Sequence, residues 1–166
     1  FGIAWGDADN DGFLDAYVSN KQDWSEGIAD SANQLYLNNG DGTFSERAVE
    51  SGVAHLGDSH SAAWLDVEPD GDMDLFVPNL FGDNVLYLND GTGAFTESGS
   101  SDLASPYQAF GSSAADVNND GLVDLMVSAT SGSGWAPEDR GDEPMLFINQ
   151  GDGNFLPRGL SELLGL

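Results

Sequence analysis

Cysteine is absent from the 166 residues. That removes disulfides, thiolate metal sites and thiol nucleophiles together, and leaves the redox compartment unmarked by thiol usage. Basic residues are nearly absent as well: four Lys and Arg stand against 29 Asp and Glu, for a formal charge of −25. Nucleic acid and anionic membrane surfaces repel so acidic a chain, and divalent cations are its natural counterions. No uninterrupted apolar stretch approaches the roughly 18 residues that span a bilayer, and no basic segment followed by an apolar one opens the chain. Nucleic-acid binding and membrane insertion are therefore not expected. The chain starts at Phe1 without a methionine, which fits a processed secreted protein or a segment of a longer one. A hydrophobic content of 40% supplies enough apolar material for a folded core.

What the chain does have is a repeat. GIAWGDADNDGFLDAYVSN at 2–20, SAAWLDVEPDGDMDLFVPN at 61–79 and GSSAADVNNDGLVDLMVSA at 111–129 align without a gap. So do NQLYLNNGDGTF at 33–44, NVLYLNDGTGAF at 84–95 and PMLFINQGDGNF at 144–155. Asp7 to Asp66 is 59 residues and Asp66 to Asp116 is 50, whereas Asn38 to Asn89 is 51 and Asn89 to Asn149 is 60. The extra length thus falls between the two blocks, as insertions at 20–33 and 130–143 that the middle unit lacks. Units are expected at 1–50, 51–104 and 105–166.

Within each unit, short runs rich in Val, Leu and aromatics are bounded by Gly, Asn and Asp, which suggests strands, and the spacing is too tight for helical crossovers. The expectation is an all-β fold of three four-stranded antiparallel blades of β-propeller type. NNGDGTF, NDGTGAF and NQGDGNF read as hairpin turns, since Asn-Gly and Asp-Gly accept the positive φ that tight turns demand, with metal binding as the other reading. GLSELLGL at 159–166 departs from the pattern, as a last helical turn or the start of a further unit.

Asp7, Asp9, Asp11 and Asp15 occupy positions 1, 3, 5 and 9 of D-x-D-x-D-G-x-x-D, with Gly12 allowing the sharp turn. Ca²⁺ takes six to eight oxygens at about 2.3 to 2.6 Å, and alternate carboxylates on a tight loop aim oxygens at one centre. Position 7, Phe13, would add its backbone carbonyl. Unit two offers Asp66, Glu68, Asp70, the Asp72 carbonyl and Asp74; unit three offers Asp116, Asn118, Asp120, the Leu122 carbonyl and Asp124. The expectation is one Ca²⁺ per unit, with loop one tightest and loop two irregular because Glu68 is longer than Asp and precedes Pro69. A helix-flanked calcium loop would need Glu at position 12; here Val18, Val77 or Val127 stands there, inside a strand. Twelve of the 29 acids fall in these three windows. Such crowding is repulsive without a cation, and three Ca²⁺ would take −25 to −19.

These residues resemble the FG-GAP/VCBS repeat family, which includes the integrin α-subunit propeller and the cartilage acidic protein group. Phe110-Gly111 followed by AADVNNDGLVDLMVSA is similar to the signature, with Ser128-Ala129-Thr130 where Gly-Ala-Pro would stand. Phe1-Gly2 aligns with it, whereas unit two has His60-Ser61. The resemblance implies a four-stranded blade per unit, Ca²⁺ in the loop joining its first two strands, and a secreted or cell-surface role in adhesion or recognition. Propellers typically close with four to eight blades. Three would leave open flanks, to be completed within a longer propeller or by other copies in a head-to-tail ring or filament.

In an up-and-down blade the acidic loops and the Asn-Gly turns share one end, and the insertions with the connections near 49–60 and 99–109 share the other. Long loops on a rigid scaffold are where an extracellular protein or glycan would bind. Trp24 and Trp135 in the insertions either make such a contact or pin their loops. Trp5 and Trp64, at matching strand positions, are expected in the core. Arg140-Gly141-Asp142 spells an integrin-recognition tripeptide in a composition where Gly and Asp abound. His55 and His60 read as structural. No nucleophile stands with a base, and no phosphate-cradling loop occurs, so the chain is not expected to be an enzyme. The catalytic alternative is a Ca²⁺-dependent polysaccharide-active enzyme hidden in the acidic background. No N-x-S/T acceptor occurs, although the Ser-rich stretches at 98–105 and 128–134 suit O-glycans.

Overall fold

Side chains on a strand alternate between its two faces, so on a strand covered on both sides every side chain is buried and must be apolar or hydrogen-bonded. In the computed structural model, which describes residues 2–21, 32–80, 82–99, 103, 108–130 and 144–159, the run DLFV of the middle unit is such a strand. It is buried at every position. Leu75 and Val77 pack toward unit one and Phe76 toward unit three.

The described residues form β1 (Gly2–Gly6), β2 (Asp15–Ser19), β3 (Gln34–Asn38), β4 (Phe44–Glu46), α1 (Ala48–Ser51), β5 (Ala63–Leu65), β6 (Asp74–Val77), β7 (Val85–Asn89), β8 (Phe95–Glu97), β9 (Gln108–Ala115), β10 (Asp124–Thr130), β11 (Met145–Asn149) and β12 (Phe155–Gly159). They make three separate four-stranded antiparallel sheets, each in chain order and none closed on itself. The register repeats: Gly6 pairs with Asp15, Leu65 with Asp74 and Ala115 with Asp124, so each acidic loop leaves and re-enters its sheet at equivalent residues. These are three propeller-type blades.

Two apolar layers lie between them. One joins Tyr17 and Leu35 of blade one to Leu75, Val77 and Tyr87 of blade two. The other joins Phe76 and Leu86 of blade two to Leu125, Val127 and Phe147 of blade three. Each fully buried side chain of this size contributes roughly 1.5–3 kcal/mol, so the blade-to-blade contacts carry the hydrophobic stabilisation.

Three features differ from or extend the sequence reading. Helix α1 lies at the start of the connection near 49–60, to which the sequence pattern assigns no element. It ends at Gly52 (φ 81°), whose left-handed conformation lets the Val53 N–H reach Ala48 O at 2.9 Å. Four residues give too little periodicity to announce a helix. The expectation that Trp5 is core is wrong: it is 56% exposed, because blade one has no neighbour on its outer face among the described residues, whereas Trp64 lies against blade one. The histidines have polar partners: His55 Nε2 is 3.1 Å from Asn79 Nδ2, and His60 Nε2 lies 3.3 Å from the buried Asp58 carboxylate, though off hydrogen-bond alignment. Trp24, Trp135, Arg140-Gly141-Asp142 and residues 160–166 lie outside the described residues. No described helix is long and apolar enough to cross a membrane.

Candidate metal centre

The acidic loops curl because two positions adopt positive φ. Gly12, Gly71 and Gly121 at position 6 stand at φ 88°, 95° and 91°, and Asn10 and Asn119 at position 4 at 57° and 66°. Gly and Asn are the residues that visit this region at least cost. Loop two has Pro69 at position 4, at φ 22°, far from the roughly −65° that its ring prefers. The irregularity expected there is thus a backbone strain.

Position 1 closes the curl. Asp7 accepts the N–H groups of Asp11 and Gly12 at 3.1 and 3.0 Å, Asp66 those of Asp70 and Gly71 at 3.2 and 3.0 Å, and Asp116 those of Asp120 and Gly121 at 3.2 and 2.9 Å. Position 5 makes a smaller turn: Asp11, Asp70 and Asp120 accept the N–H of Phe13, Asp72 and Leu122 at 2.8, 3.1 and 2.9 Å. Phe13, the position-7 residue, turns its side chain onto the neighbouring hairpin, where its ring leaves no room for a Cβ at Gly40.

Position 9 does the most. Asp15 accepts the Ala8 N–H at 2.7 Å and the Asn38 N–H at 2.8 Å. Asp74 does the same with Val67 and Asn89 at 2.8 and 2.9 Å, and Asp124 with Val117 and Asn149 at 3.0 and 2.9 Å. All three are buried. One carboxylate therefore clasps the loop to the third strand of its blade, and still has lone pairs for a cation.

In loop one, carboxylate oxygens of Asp7, Asp9 and Asp15 lie within 4.8 Å of one another. Two oxygens bound to one Ca²⁺ at about 2.4 Å are at most about 4.8 Å apart, so this spread suits a shared cation. Asp9 Oδ1 is buried with no hydrogen-bond partner, a costly state for a carboxylate unless a cation meets it. The oxygen-only donor set fits Ca²⁺. Among the described residues, no other three acids gather this closely. Asp66, Glu68, Asp70 and Asp74 are held by the strained Pro69 loop, and in loop three Asn118 Nδ2 donates to Asp120 Oδ2 at 2.8 Å, tying the amide to its neighbour.

The charges have the corresponding signature. Burial, then repulsion from Asp11, raises the Asp9 carboxyl above its usual range. Burial raises Asp15, although the Asn38 and Ala8 N–H groups oppose it. Asp74 is pushed up to about 6, mainly by burial, with N–H bonds from Asn89 and Val67 lowering it and Glu68 and Asp70 raising it. Such environments hold negative charge poorly unless a cation is supplied.

Sequence reasoning missed the asparagine that ends the third strand. Asn89 Nδ2 donates to Ala8 O of blade one at 2.8 Å, and Asn149 Nδ2 to Val67 O of blade two at 2.9 Å. Each bolts its blade to the acidic loop of the blade before. The signal was the repeated Asn of QLYLN, VLYLN and MLFIN, which turn chemistry alone seemed to explain.

Fold and site together define a repeat protein built of propeller-type blades, each with an acidic loop between its first two strands. A family model described as the FG-GAP-like repeat matches residues 24–77 and 66–127, and the chain belongs to that family. The repeat is of an extracellular type, associated with adhesion or recognition. No curated protein matches the chain at a significant level.

Proposed function

We propose that the chain is a calcium-binding structural and recognition module of a secreted or cell-surface protein, with one Ca²⁺ per blade. The observation that carries this reading is the meeting of Asp7, Asp9 and Asp15 around the buried, unpartnered Asp9 Oδ1. The other two loops repeat the same hydrogen-bonded scaffold and would close further around an ion. Phe13, Asp72 and Leu122 would each add a carbonyl, and the ions would neutralise charge and lock the loops.

In this reading the carboxylates serve metal and structure, with no catalytic role. Recognition of an extracellular protein or glycan falls to the opposite end of the blades. There a cleft of about 360 Å³ is lined by Asn20, Asn33, Gln34, Glu46 and Val49, beside the first insertion. Calorimetric titration with CaCl₂ tests the metal claim. Three bound ions are expected, with one lost in Asp9→Ala; no heat and no change in stability with CaCl₂ would reject it.

A further inference from the structure

The residue at position 2 of an acidic loop is held through both of its backbone groups. The Ala8 N–H donates to Asp15 Oδ2 at 2.7 Å, and the Ala8 carbonyl accepts Asn89 Nδ2 of the following blade at 2.8 Å. In loop two the Val67 N–H donates to Asp74 Oδ2 at 2.8 Å, and the Val67 carbonyl accepts Asn149 Nδ2 at 2.9 Å. These bonds are buried, as are Ala8 and Val67 themselves. Ala8 stands between Asp7 and Asp9 in sequence and holds Asp15, so its placement sets where the gathered carboxylates of loop one lie relative to one another. That placement is fixed from the next blade.

The hairpin turn of the following blade adds a second seat, and does so unequally. A Cβ on Gly93 would meet Asp9 Cβ at 3.2 Å and Ala8 O at 3.6 Å. At the matching Gly153 a Cβ would meet only Glu68 Oε1, at 3.8 Å, the far end of a flexible side chain. The two glycines share one backbone conformation, φ 78° and 79°. Loop one, seated by both Asn89 and Gly93, is also the loop whose Asp7, Asp9 and Asp15 oxygens gather within 4.8 Å. Toward its own blade Asn89 acts differently. Its backbone N–H donates to Asp74 Oδ1 at 2.9 Å, a bond that no side-chain substitution removes, and its amide bond to Met73 O at 3.0 Å is only partly buried.

We propose, on the basis of the calcium reading, that each of these two sites is completed by the blade that follows it. Asn89 and Gly93 are positioning residues for the calcium site of loop one, and Asn149 for that of loop two. A bolt that served the fold alone would change stability and leave calcium affinity untouched. A positioning residue changes affinity, here in a loop one blade away from the substitution. Groups that orient metal ligands typically carry 10- to 100-fold in metal affinity.

Titration of the chain with CaCl₂, followed by ¹⁵N–¹H NMR, separates these outcomes. The Gly12, Gly71 and Gly121 amides each bond the position-1 carboxylate of their own loop and so report the three sites individually. Asn89→Ala should raise the calcium midpoint at Gly12 by roughly tenfold or more and leave Gly71 and Gly121 within about twofold. Asn149→Ala should do the same at Gly71. Gly93→Ala should raise the midpoint at Gly12 while Gly153→Ala leaves Gly71 in place, although both substitutions add the same backbone strain. Circular dichroism checks that each variant is folded; should an asparagine variant not fold, Gly93→Ala against Gly153→Ala decides the matter alone. Unchanged midpoints, a shift common to all three glycines, or a shift at Gly71 in place of Gly12 in Asn89→Ala would overturn the proposal and leave calcium binding standing. No response to CaCl₂ at any of the three amides would overturn both.

Discussion

Replacing Asn149 by Ala should cost several times as much stability as replacing Asn38, although the two occupy the same position of the repeat. Asn149 is 1% exposed. Its Nδ2 donates to Val67 O at 2.9 Å and Val123 O at 3.2 Å, and its Oδ1 accepts the Gly151 N–H at 2.8 Å. Three hydrogen bonds at about 1 kcal/mol each, with the Val67 carbonyl then stranded beneath blade three, put the loss at about 3–5 kcal/mol. Asn38 gives up a 3.2 Å bond to Leu14 O and a 3.0 Å bond from Gly40 N–H, both exposed, where water substitutes. Its loss should stay under about 1 kcal/mol. Urea unfolding at submicromolar chain concentration, which keeps copies apart, gives both values. Equal costs would refute the assignment of Asn149 as the bolt between blades two and three.

Pro69→Asn should stabilise the chain by about 1–2 kcal/mol, because Asn accepts the positive φ that position 4 requires; a lower urea midpoint would show that loop two carries no such strain. Asp74 makes stability depend on pH. Its folded-state value of about 6 lies above the ordinary 3.8, so between these values the folded chain holds more protons than the unfolded one. Its contribution to metal-free stability therefore rises as pH falls from 7 toward 4. The difference between the wild-type chain and Asp74→Asn in EDTA isolates this term, and a difference that does not change across that window would contradict it. Because protons compete for the same carboxylate, calcium binding to loop two should weaken as pH drops through 6. His55 acts in the opposite sense. Burial lowers it below 6.5, and its contribution is lost as pH falls below that value; His55→Gln should remove the dependence.

Much of this was legible because the repeat applies one pattern three times. The three aligned D-x-D/E/N-x-D-G-x-x-D segments placed every loop between two strands, and AYV, LFV and LMV marked the second strands. Glu68, longer than Asp and followed by Pro69, flagged loop two as irregular, and the structure places the irregularity at Pro69. What escaped is what depends on neighbours. Trp5 and Trp64 are the same letter at the same strand position, yet the exposure of one and the packing of the other follow from which blade stands beside each. The reach of Asn89 to Ala8 spans 81 residues of sequence, and nothing local distinguishes it from a turn residue. The clasp by Asp15, Asp74 and Asp124 was hidden in the same way: a carboxylate at position 9 reads as a ligand, while one of its two N–H partners lies in the loop and the other on the third strand.

The central claim is that the acidic loops hold calcium, and thermal unfolding with EDTA against about 1 mM CaCl₂ addresses it most directly. With a site Kd near 10⁻⁴ M, each ion contributes about 1.4 kcal/mol, hence about 4 kcal/mol for three. For a chain of this size that corresponds to a rise in Tm of roughly 10 °C. The account predicts that rise, reduced by about a third in Asp9→Ala. An identical Tm in EDTA and in CaCl₂ would contradict it.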